Sequence, residues 1–146
     1  MKIEEIEKEN IQEETEEKET SVFDATAECV QELLNAAISF HKLHLQVKGP
    51  GSYAQHKALN EIYDALPELA DSVAEGYQGA SESILKYPEL GPVMLDSIED
   101  ALQYLRNMHK MICELQEIMP YSEIINELDN VKAQINSTKY KLIFLA

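Results

Sequence analysis

Apolar side chains recur every three to four residues along most of the chain, which is the spacing of amphipathic helices rather than of strands. The first predicted helix begins at the N-cap pair Thr20 and Ser21 and ends near Val47, before a Gly-Pro-Gly turn. Its apolar stripe continues onto His41 and His44. We therefore expect both histidines to face the core.

Three further helices follow the turn. The second begins at Ser52, where the Ser-x-x-Gln sequence predicts a capping box, and continues to about Gly79. Pro67 lies inside it and predicts a kink or a break, because proline removes one intrahelical hydrogen bond. The third and fourth predicted helices cover residues 95–119 and 122–144. The pattern therefore predicts an all-α fold.

The connection between the second and third helices is too long for a simple hairpin turn. It spans about residues 80–92 and contains one Tyr-Pro and one Gly-Pro pair. A short first turn followed by a long connection is typical of a ferritin-like four-helix bundle with one crossover. We expect residues 21–146 to form this bundle and residues 1–20, with nine Glu and three Lys, to be an acidic disordered tail.

Composition narrows the class of protein. Twenty-seven acidic and twelve basic residues give a formal charge of −15, which repels nucleic-acid phosphate, so we do not expect direct DNA binding. No stretch approaches the roughly 20 apolar residues of a membrane span, and the start is acidic rather than that of a signal peptide. Cys29 and Cys113 favour a reducing compartment and are expected to be buried. These features predict a cytoplasmic protein.

A polar stripe along the second helix carries the candidate chemistry. At about 100° per residue, five side chains fall on one narrow face: His56, Asn60, Asp64, Asp71 and Glu75. His44 ends the first helix, so the tight turn allows it to meet His56. Imidazole nitrogens and carboxylate oxygens are ligands for iron, zinc or manganese. The stripe therefore predicts a divalent-metal site.

Distance along the helix decides how such a site would be built. His56 and Asp71 are fifteen residues apart, which is roughly 22 Å along a helix axis. One chain therefore cannot bring both to one ion. A two-fold axis that lays the second helix antiparallel to its copy would pair the histidine end of one subunit with the carboxylate end of the other. The metal hypothesis accordingly predicts a homo-oligomer, with at least a dimer and two equivalent sites.

The spacing of these residues resembles that of the Dps mini-ferritins. His44 stands before Lys48-Gly49, a second histidine follows twelve residues later, and Asp71 and Glu75 complete the pattern. Within that superfamily the segment looks closest to ferritin-like proteins carried by tailed phages, which would place the protein in the host cytoplasm or the virion. The resemblance implies a hollow shell, often of twelve subunits, that oxidises ferrous iron and stores the ferric product. Asn60 departs from the pattern, because the family has an iron-bridging aspartate there.

Two functions stay open at this stage. The first is an iron-binding protein, with possible ferroxidase and iron-storage activity, that uses His44, His56, Asn60, Asp71 and Glu75. The second is a ferritin-like structural or virion-associated interaction protein with weakened or lost ferroxidase chemistry, which Asn60 favours because an amide is a weaker ligand than a carboxylate. Each acidic side chain would otherwise be an ordinary solvated charge, and His41 a core histidine.

Overall fold

A computed structural model describes the backbone of residues 3–146 and the side chains of residues 22–146. Four helices make up the fold, and no strand occurs in the described residues. They are α1 (Ile3–Gln46), α2 (Ser52–Ser81), α3 (Ile98–Ile118) and α4 (Ser122–Phe144). The predicted all-α class is confirmed, and α4 has the predicted boundaries.

Helix α1 begins much earlier than the sequence predicted. It runs without a break from Ile3, whereas the expected start was at Thr20 and Ser21. No Gly or Pro precedes Gly49, and Glu, Lys and Gln are good helix formers, so nothing in the backbone chemistry ends the helix before that point. The side chains of the predicted acidic tail, residues 1–20, lie outside the described residues, and the disorder expected there stays a prediction.

Helix α2 differs from prediction at its first turn. The N-cap residue is Gly51, with φ of 79°, and no side chain caps the helix, so the predicted capping box at Ser52 is wrong. A residue inside the first turn cannot cap it; the Gly51 carbonyl instead accepts from the Gln55 amide at 3.2 Å. The helix also continues through Pro67 as a single element.

The helices form a bundle in which α2 and α3 both run antiparallel to α1. Phe23, near the middle of α1, packs against Tyr77 near the end of α2, with ring centroids 6.4 Å apart. Phe40, farther along α1, packs against Tyr104 in the first half of α3 at 5.6 Å. Helix α4 lies between α2 and α3 and pairs with α2 through the Lys141–Glu61 ion pair. The order is therefore up, down, down, up.

This order requires the connection between α2 and α3 to travel the length of the bundle. Residues 82–97, named here the crossover strap, lie along α1. Asn35 donates to the carbonyl of Leu90 at 2.8 Å, and Ser39 donates to the carbonyl of Val93 at 2.7 Å. Both donors are buried, so these bonds hold the strap to α1 while satisfying two polar groups. The connection between α2 and α3 covers residues 82–97, somewhat later in the chain than the predicted residues 80–92.

The core-facing side of α1 differs from the predicted stripe. Leu33, Phe40 and Leu43 are buried, as is His44, but Leu34 and His41 are exposed. The expectation that both histidines face the core is therefore wrong for His41. The reason is that α1 carries two apolar stripes about one residue apart, and only one of them packs inward. None of the helices in the described part of the chain is long and apolar enough to cross a bilayer.

Candidate metal site on the α1–α2 hairpin

The hairpin of α1 and α2 brings His44 and His56 into contact. Their imidazole rings stack with centroids 4.0 Å apart and an interplanar angle of 28°. The chain reverses between them through Gly49 and Gly51, whose φ angles of 87° and 79° lie in the left-handed region that favours glycine. The short turn therefore places the first helix end directly against the first turns of the second.

Each ring of this histidine pair is anchored by one nitrogen to the backbone. His44 Nδ1 lies 2.8 Å from the carbonyl oxygen of His41, and His56 Nδ1 lies 2.9 Å from that of His44. A carbonyl oxygen only accepts, so each Nδ1 carries the proton, and each Nε2 of the neutral ring holds a lone pair. Metal-ligating histidines are held in this way by their second nitrogen. In both rings Nε2 is therefore the nitrogen that makes no contact with these carbonyls.

Two further rings complete the cluster, and the sequence pattern did not assign either of them a role in the site. Tyr63, two turns after His56, places its hydroxyl 3.3 Å from His44 Nε2. Its ring stacks on His41 at 4.1 Å and 7°, so His41 lies outside the core but within the cluster. The seven-residue spacing of His56 and Tyr63 on α2 was the available sequence signal.

Asn60 is engaged next to the cluster rather than inside it. Its Nδ2 donates to Asp64 Oδ2 at 2.7 Å, one turn along α2. Asp64 is exposed, and Asn60 is half-buried. The uncharged amide of Asn60 therefore orients the neighbouring carboxylate of Asp64.

Asp71 and Glu75 lie in a different part of the molecule. Both are exposed and line a groove between α2 and α4, and two carboxylates that the sequence pattern did not single out, Glu68 and Glu127, line it with them. Because α2 is one continuous helix, Asp71 and Glu75 remain about four and five turns beyond His56. Among the residues with described side chains, no group of three or more His, Cys, Asp or Glu is arranged to hold a metal ion.

Exposed apolar side chains occur on α1 and on the neighbouring strap, and we name this set the α1–strap face. It consists of Leu34, Ile38, Leu90, Val93 and Met94, of which Met94 is 83% exposed. The strap residues are held beside the helix residues by the Asn35 and Ser39 hydrogen bonds. Contiguous exposed apolar surface of this kind is typical of protein interfaces.

The two cysteines do not join the histidine cluster. Cys29 is fully buried, as expected, and burial together with Glu28 and Glu32 raises the pKa of its thiol to about 12. Cys113 is half-buried, which corrects the expectation that both are buried, and its Sγ lies 3.5 Å from His109 Nδ1 on the same helix. His109 and Cys113 therefore lie beside the buried face of α3 and not within it.

Comparison with known proteins places the chain in a family without an assigned function. The model of the family of unknown function DUF5856 matches residues 44–142. An uncharacterized 14.6 kDa protein from the mobD–ri intergenic region of Enterobacteria phage T4 is 32% identical over 116 residues, which cover 75% of this chain and 81% of the phage protein. No solved structure matches.

These comparisons show that the predicted membership of the Dps mini-ferritins is wrong. The similarity to a phage T4 protein agrees only with the expectation of a phage relative. The Dps pattern rested on four positions between His44 and Glu75, and the matching family is a different one. Histidines and acids at such spacings arise on any polar face of two amphipathic helices, so the pattern is less specific than it looks. The family match instead covers most of the chain from His44 to Leu142. The chain therefore belongs to the DUF5856 family.

Proposed function

We propose that the protein is a homo-oligomer that binds a divalent transition metal between subunits. Each ion would be held by His44 and His56 of one subunit and by Asp71 and Glu75 of its two-fold mate. The observation that carries the proposal is the anchoring of both histidines, whose Nδ1 atoms donate to backbone carbonyls at 2.8 and 2.9 Å. Iron, zinc and manganese are the ions that this mixed nitrogen and oxygen set suits.

A two-fold arrangement supplies what a single chain lacks. The histidine pair and the acidic groove lie toward opposite ends of α2, so antiparallel pairing of the α1–α2 hairpins would bring one to the other. Asp71 and Glu75 in this groove are exposed and therefore accessible to a second chain. Two ions per dimer follow from the symmetry.

The α1–strap face supports dimerisation independently of any metal. Leu34 and Ile38 are 37% and 47% exposed on the outward side of α1, and Val93 and Met94 extend this apolar surface from the strap. Burying such residues at a two-fold interface stabilises association through the hydrophobic effect. The up, down, down, up order with one crossover is also the topology of ferritin-like bundles. We propose that the chain resembles ferritin-like bundles in helix order only.

Oxidation of ferrous iron, with dioxygen or peroxide as the electron acceptor, is the activity such a site would support. A bridging carboxylate stabilises the ferric product, and Asn60 supplies a neutral amide that donates to Asp64. We therefore propose metal binding as the main function and weak iron oxidation as its consequence.

A structural or virion-associated interaction protein is the second candidate. It is favoured by the α1–strap face and by the similarity to a phage protein. In this case the same face would dock a partner, and the histidine cluster would stabilise the hairpin without binding an ion. Metal content separates the two candidates.

The experiment compares metal binding by the wild type, His56→Ala and His109→Ala. Zinc or ferrous iron is titrated by calorimetry under anaerobic conditions, and the assembled mass is measured by light scattering. The proposal requires two ions per wild-type dimer, loss of binding in His56→Ala and unchanged binding in His109→Ala, because His109 lies on α3 outside the cluster. A wild-type dimer that binds no ion would contradict the metal-binding proposal and favour the second candidate, an interaction protein.

A further inference from the structure

Tyr63 places a phenol oxygen beside the metal-binding nitrogen of His44. Its Oη lies 3.3 Å from His44 Nε2, and because Nδ1 of that ring donates to a carbonyl, the hydroxyl donates to Nε2. This distance is long for a hydroxyl donor. The two atoms are therefore close neighbours held by only a weak hydrogen bond.

The same distance fits two ligands of one ion. Donors at about 2.0–2.1 Å from a tetrahedral metal lie about 3.3–3.4 Å apart. The separation of 3.3 Å between Tyr63 Oη and His44 Nε2 matches this edge. An ion bound to both atoms would need little movement of either side chain.

The tyrosine ring is held in place by its neighbours. It stacks on His41 with centroids 4.1 Å apart, and its plane meets that of His44 at 67° with centroids 4.8 Å apart. Ring contacts on both sides fix the direction of the phenol oxygen, which is the preorganisation that a ligand requires.

An anionic oxygen ligand would balance part of the charge of a cation bound at this position. The histidine pair is neutral when it binds a metal, and Asn60, one turn beyond His56 on α2, is an amide engaged with Asp64. Within one chain the histidine end of the site therefore has no carboxylate of its own in the described contacts. A phenolate would supply an anionic oxygen there.

We propose that Tyr63 is a further ligand, binding through Oη as phenolate to the same ion as His44 and His56. The proposal rests on the proposed function. On binding, the phenol O–H bond breaks, its proton leaves to water, and an oxygen–metal bond forms without any electron transfer. The donor set becomes two imidazoles and one phenolate from one chain, which suits zinc, copper and ferric ions.

The test is a titration with cupric ion, used as a spectroscopic probe, followed by visible absorption. Tyr63→Phe keeps the ring stacking and removes only the oxygen. Tyr53→Phe is the matched control, because Tyr53 lies on the same helix but is 74% exposed with its ring near Lys57. We expect a phenolate-to-copper charge-transfer band in the wild type and in Tyr53→Phe and none in Tyr63→Phe, together with one proton fewer released per ion.

Each outcome separates this inference from the proposed function. An unchanged spectrum in Tyr63→Phe would overturn the ligand assignment while leaving the histidine site intact. The double variant Asp71→Asn, Glu75→Gln tests the inter-subunit arrangement. If it keeps both the charge-transfer band and the wild-type affinity for cupric ion, the result would support Tyr63 as a ligand and overturn the inter-subunit arrangement. A wild type that binds no cupric ion would overturn both.

Discussion

The imidazole rings of His44 and His56 stack at 4.0 Å although twelve residues separate them along the chain. This contact depends on the turn, where Gly49 and Gly51 adopt φ values open mainly to glycine. The backbone carbonyl of His44 also accepts from the His56 ring, so the first histidine positions the second. The turn and this hydrogen bond thus hold the two imidazole rings together.

Asn60→Asp should strengthen metal binding while weakening the apo fold slightly. The substitution would place a carboxylate four residues before Asp64, and like charges at this spacing cost about 0.2–0.5 kcal/mol. A bound cation would offset that repulsion. We expect a slightly lower melting temperature without metal, tighter binding in calorimetry and faster ferrous iron oxidation by absorbance. Wild-type-like oxidation in the variant would contradict the iron-oxidation proposal.

Ile38→Lys should dissociate the dimer, whereas Ile143→Lys should not. The two isoleucines are 47% and 45% exposed, so the substitutions carry similar intrinsic costs, but only Ile38 belongs to the α1–strap face. A lysine at a two-fold interface brings two like charges together and leaves them poorly hydrated. Sedimentation velocity at micromolar concentration measures the result. Equal behaviour of the two variants would show that this face is not the interface.

Glycine-to-alanine substitutions in the hairpin turn and in α2 should have opposite effects on stability. Gly51→Ala should destabilise the fold by about 1–2 kcal/mol, because an alanine there adopts a left-handed conformation. Its Cβ would also lie 2.9 Å from the backbone carbon of Ala146. Gly79→Ala, in α2 with open space around its Cβ, should stabilise by about 0.4–1 kcal/mol. Chemical denaturation of both variants checks the opposite signs.

The two thiols should differ in reactivity. The raised pKa and full burial of Cys29 keep it protonated and inaccessible in the native fold, while half-buried Cys113 is reachable. We expect a thiol reagent near neutral pH to label one cysteine per native chain and two after denaturation. Rapid labelling of Cys29 in the native protein would contradict its placement.

The Cys29 thiol also predicts a loss of stability in alkali. Its folded pKa of about 12 lies above the ordinary thiol pKa of 9.0, so the protonated thiol stabilises the fold below about pH 9. That contribution is lost as pH rises toward 12, because the unfolded chain ionises first. Cys29→Ala should flatten this part of the stability profile measured by denaturation.

Sequence reasoning predicted the helices and the histidine contact better than the inward face of α1. The start of α4 follows from a local signal, because Pro120 lies just before it. The start of α2 follows in the same way from the Gly-Pro-Gly turn that precedes it. The face of α1 does not, because Leu33 and Leu34 are adjacent and only tertiary packing decides which is buried. The position of Tyr63 against His44 likewise depends on the packing of two helices.

The shared site can be tested most directly by mixing two inactive variants. One carries His44→Ala and His56→Ala, and the other carries Asp71→Asn and Glu75→Gln. Neither homodimer should bind metal, but a purified heterodimer would hold one site with all four ligands. The account predicts one zinc ion per heterodimer by calorimetry. No recovery of binding, or full binding by the variant that lacks the carboxylates, would contradict a site shared between subunits.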